Sequence, residues 1–360
     1  MRVDQVIPSL ASRDAIGVHT LHARDGLRAV GIESEIFYGN FTPDVEHEGR
    51  RVTELGRVGR DRWLLYQASI GSPVFDILSA RPEPKLVNYH NITPAVLLND
   101  WEPDVAYEAA LGRTQLARLA PQSRFAIADS AFNESELHAV GYDSTAVVPL
   151  LIDMHSKSDE PDPALAGAMA QRRRREGGAD LLYVGKISPH KAPHDLVKML
   201  EVLRRLYDPA ARLHLIGSPL GETYEPALRG FISDLGLTDA VFLPGSVSGP
   251  ELEAYYRAAD VFVTASDHEG FCVPLGEAMG HGVPIVAYGV TAVPETVAGA
   301  GLLLPDKSAV RFAAAVDRVL RDDRLHRTLA TAGRERAAEF DLAASTARFV
   351  SLVEKAAGTA

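Results

Sequence analysis

A single cysteine in 360 residues leaves no partner for an internal disulfide, so Cys272 points to a reducing, cytoplasmic setting. No stretch reaches the roughly 18–20 uncharged apolar residues that a membrane span requires. The first eight residues, MRVDQVIP, are too few and too polar for a signal peptide and read instead as a first strand. Positive charge is also short: 37 Lys and Arg stand against 48 Asp and Glu, a formal net charge of −11. That excludes a nucleic-acid binder driven by bulk charge, because such proteins present a basic face. There is no Asp-x-Asp pair at a strand end and no His/Cys/Glu cluster with ligand spacing, so neither a metal nor a bound cofactor is predicted. Short repeats and low-complexity tracts are missing as well.

What is present is apolar material for two cores: 46% of residues are hydrophobic and 24% charged, in a chain long enough for two domains. Short apolar runs alternate with amphipathic stretches, the pattern of an α/β protein with parallel sheets. Strands are expected at 3–8, 34–38, 62–67, 85–89, 125–129 and 145–150. Helices are expected from Asp14, as N-cap, and over 104–119 and 133–140. A polar, proline-containing stretch at 153–163 reads as a linker. The alternation then restarts, with strands at 181–185, 212–216, 240–243, 261–265 and 284–287. Helices fall at 193–207, 224–235, 250–259 and 275–280, and the tail from 308 is helical. This gives two doubly wound domains, 1–152 and 153–341, with a last helix at about 342–360 packing back on the first. In such sheets ligands gather at the carboxyl ends of strands and at domain interfaces. The basic run at 172–175 reads as a solvated helix face, the alternative being contact with anionic lipid or an acceptor.

Three loops stand out at strand ends. The first is Glu269-Gly270-Phe271-Cys272-Val273-Pro274-Leu275-Gly276-Glu277, which follows a strand and opens a helix. The first N–H groups of a helix lack internal partners and suit a diphosphate. Pro274 costs little in the first turn. Glu277 can accept from a diol such as ribose, Glu269 from sugar hydroxyls, and Gly270 lets a ligand approach the backbone. The second is Gly185-Lys186-Ile187-Ser188-Pro189-His190-Lys191, whose two lysines can clamp a diphosphate. A cation about 4 Å from a phosphate gains on the order of 4 kcal/mol at an effective dielectric near 20. His190 and His194 read as helix-entry residues rather than ligands. The third is Tyr89-His90-Asn91-Ile92-Thr93-Pro94, which places His90 at a strand end.

With these residues the chain resembles the family 4 retaining glycosyltransferases, which have the GT-B fold of two facing Rossmann-like domains with a cleft between them. Glu269 and Glu277 match the family's E-x7-E motif. The resemblance implies that Glu269 contacts the donor sugar and Glu277 the ribose. It implies that Gly270, Phe271 and Cys272 line the sugar site, with the amides of Val273 and Leu275 near the diphosphate. Lys186 and Lys191 match the family's basic pair, although arginine is more usual at the first position. Val247, in Leu243-Pro244-Gly245-Ser246-Val247, matches the nucleobase contact, and Gly217 the nearby glycine turn. His90 matches a first-domain histidine that faces the donor sugar, beside Asn91. One departure lies at Ser9-Leu10-Ala11-Ser12-Arg13-Asp14-Ala15-Ile16-Gly17, where the family's paired glycines are missing. Arg13 is a candidate for added positive charge there, and Gly17 for close approach to the donor.

The implied reaction is metal-independent transfer of a hexose from a nucleotide-diphosphate sugar, uridine favoured and guanosine next. The acceptor is a carbohydrate, glycolipid or small metabolite in glycan biosynthesis, with peripheral membrane contact compatible. Domain closure would bring His90 and the acceptor to the anomeric carbon, with His90, Lys186, Lys191 and Glu269 carrying the chemistry. The same fold also hosts nucleotide-sugar epimerases and phosphorylases, and a non-catalytic nucleotide-sugar sensor is a third reading.

Overall fold

The computed structural model describes residues 1–12, 14–59, 61–154 and 160–358. The chain divides into two compact units. Met1–Val96, Asp104–Asp153 and Phe340–Ala360 make the first; Leu97–Pro103 and Met154–Glu339 make the second.

The first unit runs β1 (Arg2–Leu10), α1 (Ala15–Ala29), β2 (Ile36–Phe41), β3 (Arg50–Arg51), β4 (Arg62–Ala68), α2 (Val74–Ser79), β5 (Lys85–Tyr89), α3 (Pro103–Leu119), β6 (Ser123–Ala128), α4 (Ala131–Ala139) and β7 (Thr145–Val147). Its seven strands are all parallel, in the order β3-β2-β1-β4-β5-β6-β7. Parallel strands covered on both faces need apolar residues on both sides. That is why β4 is buried at every position and reads as a near-continuous run. Asp14 holds the N-cap position of α1, but its side chain makes no capping hydrogen bond.

The second unit runs α5 (Pro163–Glu176), β8 (Asp180–Val184), α6 (Pro193–Leu206), β9 (Arg212–Ile216), α7 (Tyr224–Asp234), β10 (Val241–Gly245), α8 (Gly249–Ala258), β11 (Val261–Thr264), α9 (Val273–His281), β12 (Ile285–Tyr288), α10 (Val293–Val297), β13 (Gly301–Leu304), α11 (Ala309–Arg321) and α12 (Asp323–Ala338). Its six strands are parallel in the order β10-β9-β8-β11-β12-β13. The order reverses between β8 and β11, the switch point at which ligands gather in such sheets, beside the strands' carboxyl ends. Leu181, Tyr183, Leu213, Leu215, Val261 and Val263 supply the sheet side of the core, against Leu196, Leu200 and Leu203 of α6 and Phe312, Val316 and Val319 of α11.

Several features differ from the sequence reading. Residues 97–103 group with the second unit, not with 1–152. Glu102 accepts hydrogen bonds from the backbone N–H groups of Thr223 and Tyr224, both at 3.1 Å, and Trp101 meets Tyr224 edge-on with centroids 5.4 Å apart. The carboxylate thereby satisfies two orphan donors at the start of α7. The basic run is only partly a solvated face. Arg172 lies 4.5 Å over the Phe242 ring, and Arg173 bridges Asp180 (2.9 Å) and Asp260 (2.5 Å), tying α5 to the sheet. Among the described residues, no helix is long and apolar enough to cross a membrane.

The final helix, α13 (Leu342–Gly358), belongs to the first unit, where Phe349, Val350 and Val353 share a core with Ala23 and Leu27 of α1 and with Leu65 and Leu86 of the sheet. Phe349 is completely enclosed. Replacing it by alanine removes the ring and leaves a cavity, for an expected cost of about 3–5 kcal/mol. Denaturant unfolding of Phe349→Ala checks this; a loss below about 1 kcal/mol would show that α13 is not integral to that core.

Candidate functional site

The strand-order reversal brings two of the three singled-out loops together. The loop after β8 carries Lys186 and Lys191, and the loop after β11 carries Glu269. Lys191 Nζ donates to Glu269 Oε2 at 2.7 Å, with the lysine side chain 21% and the carboxylate side chain 6% exposed. The two loops are also sewn together through backbone. The Asp267 N–H donates to the His190 carbonyl at 2.8 Å, and the Ser266 hydroxyl donates to the same oxygen. His190 is buried; burial holds its ring pKa well down, helped by the Lys191 and His268 charges. His194 meets the Tyr224 hydroxyl at 2.6 Å. Neither histidine is arranged as a ligand.

Lys186 is exposed, and its ammonium has no hydrogen-bond or ion-pair partner among the described residues. Its backbone is fixed from below: the buried Tyr183 hydroxyl donates to the Lys186 carbonyl at 2.9 Å. One lysine is thus already paired with a carboxylate and the other is free.

Glu269 is enclosed on its backbone side as well. Its N–H donates to Thr291 Oγ1 at 3.0 Å, and its carbonyl accepts from Ala292. The Phe271 carbonyl accepts from the Thr296 hydroxyl at 2.6 Å, and Phe271 itself is buried. Cys272 is the N-cap of α9 in a left-handed conformation, φ 68°. Ala192 (φ 50°), at the other end of the lysine loop, and Thr291 (φ 52°), beside Glu269, are left-handed too. Such conformations cost non-glycine residues of order 1–3 kcal/mol and gather where function requires a particular backbone. Burial, reinforced by the Glu269 charge, pushes the Cys272 thiol well above its usual range.

At the start of α9 the two amides named from the sequence part company. Leu275 N–H is engaged by the Cys272 carbonyl at 2.9 Å, so it is not available to a diphosphate. Val273 N–H has no acceptor among the described residues and remains suited to an anion. Gly270 is buried in the turn between Glu269 and Phe271. Glu277, one turn into α9, accepts from the Tyr256 hydroxyl at 2.7 Å through Oε2. Burial raises its carboxyl pKa, opposed by Tyr256 and by the His281 charge. Val247 is half-buried immediately before Ser248, whose side chain caps α8.

Two expected glycine contacts are made by the chain itself. At Gly217 (φ 145°) a Cβ would stand 2.0 Å from the Gly185 carbonyl oxygen, and its N–H donates to the Gly245 carbonyl at 3.0 Å. At Gly17 a Cβ would stand 2.0 Å from the Ala11 carbonyl oxygen. At both positions a side chain would collide with neighbouring backbone, which is reason enough for glycine. Arg13 lies outside the described residues.

His90 also departs from expectation. Its side chain is 0% exposed. Nδ1 is 3.0 Å from Asp129 Oδ2 and Nε2 is 2.7 Å from Gln67 Oε1, while its ring meets His19 edge-on at 4.8 Å. The Gln67 amide donates to Gln5 Oε1, and the Gln5 amide to the Thr20 carbonyl. That carbonyl can only accept, so the chain of amides turns the Gln67 oxygen toward His90. Both ring nitrogens are committed, and the imidazole cannot touch a sugar in this arrangement. The reason is positional: β5 lies between β4 and β6, whose ends carry Gln67 and Asp129. Asn91 follows with φ 70° and turns the backbone away from the strand.

Among the described residues no group of three or more His, Cys, Asp or Glu side chains is placed to hold a metal ion. What the site offers is one free cation, one cation-carboxylate pair, a helix N-terminus and a second carboxylate braced from behind. Sequence reasoning missed the brace: Tyr256 is three residues from Glu253 on α8, and only the packing of α8 on α9 reveals its partner.

Residues 168–336 match the family described as glycosyl transferases group 1. The chain is 38% identical over 197 residues to the D-inositol 3-phosphate glycosyltransferase of Frankia alni, covering 51% of this chain and 48% of that one. It is 33% identical over 184 residues to the GDP-mannose-dependent alpha-(1-6)-phosphatidylinositol monomannoside mannosyltransferase of Mycobacterium tuberculosis, covering 49% and 47%. The chain thus spans about half the length of the curated relatives it matches. Among solved structures, Anabaena Alr3699/HepE in complex with UDP and glucose superimposes with a TM-score of 0.78 at 16% identity, covering 99% of this chain and 100% of that one. The fold is GT-B, built of two Rossmann-like parallel-sheet units, and the second unit is similar in sequence to group 1 glycosyl transferases.

Proposed function

We propose that the chain is a retaining glycosyltransferase whose second unit binds a nucleotide-diphosphate hexose. The observation that carries this reading is the convergence of Lys186, Lys191, Glu269 and the start of α9 at the strand-order reversal between β8 and β11. In this reading Glu269 takes the sugar hydroxyls, Glu277 the ribose and Val247 the base. Lys186, Lys191 and the Val273 amide meet the diphosphate without a metal. The bond from the anomeric carbon to the donor phosphate breaks, and the acceptor oxygen bonds to that carbon from the same face. The acceptor proton passes to a phosphate oxygen of the departing nucleoside diphosphate. The cations gain most as that leaving group develops charge, so they favour the transition state.

The donor base is proposed as uridine, with guanosine as the competing choice. The names of the relatives support both kinds of chemistry: one is GDP-mannose-dependent, and the HepE structure holds UDP. The acceptor proposed is a sugar, sugar phosphate or glycolipid, consistent with relatives named for inositol 3-phosphate and phosphatidylinositol mannoside.

A thermal-shift panel of nucleotide sugars tests the donor site directly. A ligand present at about 100 times its dissociation constant adds roughly 2.7 kcal/mol of stability. Lys191→Ala and Glu269→Ala are each expected to lower kcat/KM by about 10²–10³-fold, the usual cost of a lost transition-state contact. Nucleotide release measured with and without acceptor checks this, and rates near wild type in both variants would sink the assignment.

Glu277 carries a pH signature. Burial raises its folded-state pKa above the ordinary 4.5. Its stabilising contribution is therefore complete below that value and is lost as pH rises through the raised one. Glu277→Gln keeps an acceptor for Tyr256 and removes the buried charge. Melting curves at increasing pH above 4.5 should show the variant gaining stability relative to wild type, while nucleotide affinity falls about tenfold. Parallel pH dependences in the two proteins would show that burial does not raise the Glu277 pKa.

A further inference from the structure

Resting on the donor-site reading above, we propose that Tyr256 is a positioning residue that fixes the Glu277 carboxylate for recognition of a vicinal diol, the ribose 2′- and 3′-hydroxyls of the nucleotide.

The tyrosine is almost wholly buried, which requires a partner for its hydroxyl. That partner is Glu277 Oε2, 2.7 Å away. A phenol has one proton to give, and a carboxylate can only accept, so the direction of the bond is settled. Among the described residues nothing else bonds to the Glu277 carboxylate, which leaves Oε1 free to accept from a ligand. The ring itself is held in place by stacking. Its centroid lies 4.7 Å from that of His281 at an interplanar angle of 13°, and 6.4 Å from that of Phe262 at 18°. His281 is immobilised in turn, with Nδ1 2.8 Å from the Glu277 carbonyl oxygen and Nε2 2.7 Å from Glu253 Oε2. Glu253 is also held by Arg257.

The spacing explains why this assembles. Glu253, Tyr256 and Arg257 fall at i, i+3 and i+4 on α8, so they share one face. Glu277 and His281 fall at i and i+4 on α9 and share another. The α8 face therefore braces the α9 face with two polar contacts and one ring stack. A glutamate side chain left alone populates several staggered rotamers, and each one placed against a diol loses that freedom on binding. Tyr256 selects the rotamer beforehand. Substituting phenylalanine keeps the stack on His281 and Phe262 and removes only the hydroxyl.

The test measures binding of uridine and guanosine diphosphates, and of their 2′,3′-dideoxy counterparts, to the full chain by calorimetry, with a melting curve for each protein. Wild type is expected to prefer the ribonucleotide over the dideoxy form by about tenfold, the scale of a hydrogen bond to a charged group. In Tyr256→Phe that ratio should shrink to about twofold, while affinity for the dideoxy form stays within about twofold of wild type. A full wild-type ratio in the variant overturns the proposal. Equal weakening of both nucleotides, the mark of a merely structural role, overturns it too. If Tyr256→Phe fails to fold, His281→Asn takes its place: removing the stacked ring should cut the ratio, and an undiminished ratio again overturns the proposal. Failure of the donor reading looks different, since wild type would then bind neither nucleotide form.

Discussion

The second unit depends on one topological constraint. Six parallel strands put all their carboxyl ends on one edge of the sheet, and the reversal of order sets β8 and β11 side by side at its centre. The lysine loop and the glutamate loop face each other because of that reversal, not because of their own sequences. The Lys191–Glu269 pair then sets the local charge balance at these loops. The enclosed carboxylate has an adjacent cation, which offsets part of the desolvation that an isolated buried charge would suffer. In the proposed function, a diphosphate would meet Lys186 unpaired among the described residues and Lys191 already paired with Glu269.

The rigidity of the arrangement comes from contacts that do not face a ligand. Tyr183 holds the Lys186 carbonyl, Thr291 the Glu269 amide, and Thr296 the Phe271 carbonyl. The left-handed residues Ala192, Cys272 and Thr291 sit within this frame. Packing and hydrogen bonds on the buried side over-determine the backbone and hold these conformations in place. Preorganisation of this kind places dipoles before reaction, which is where most electrostatic rate enhancement originates.

Much of this was legible in the sequence because it is local. Strand ends followed by Gly-Lys or Glu-Gly, and a proline at the first turn of a helix, are signals that span a few residues. The two-glutamate segment was readable for the same reason. Elements with weak local signals were not. β13 is a four-residue run entered through glycine and alanine with no β-branched residue, and β3 is two arginines at a sheet edge. Contacts between distant positions were also hidden. His90 reads as a cleft histidine until Gln67 and Asp129, from flanking strands, occupy both its nitrogens. Gly17 and Gly217 read as ligand glycines until Ala11 and Gly185 are seen to fill the space. The grouping of residues 97–103 with the second unit rests on Glu102 and amides more than 120 positions away.

Cys272 has a practical consequence. The chain has one thiol, on the residue at the N-cap position of α9 between the two glutamates. Any thiol-directed label therefore lands at one address, with no background from elsewhere in the molecule. Burial and the neighbouring Glu269 charge raise the thiol's pKa, and a thiol reacts through its thiolate. A single attachment point between the two glutamates therefore lets a probe be placed at this loop without mutating any other position.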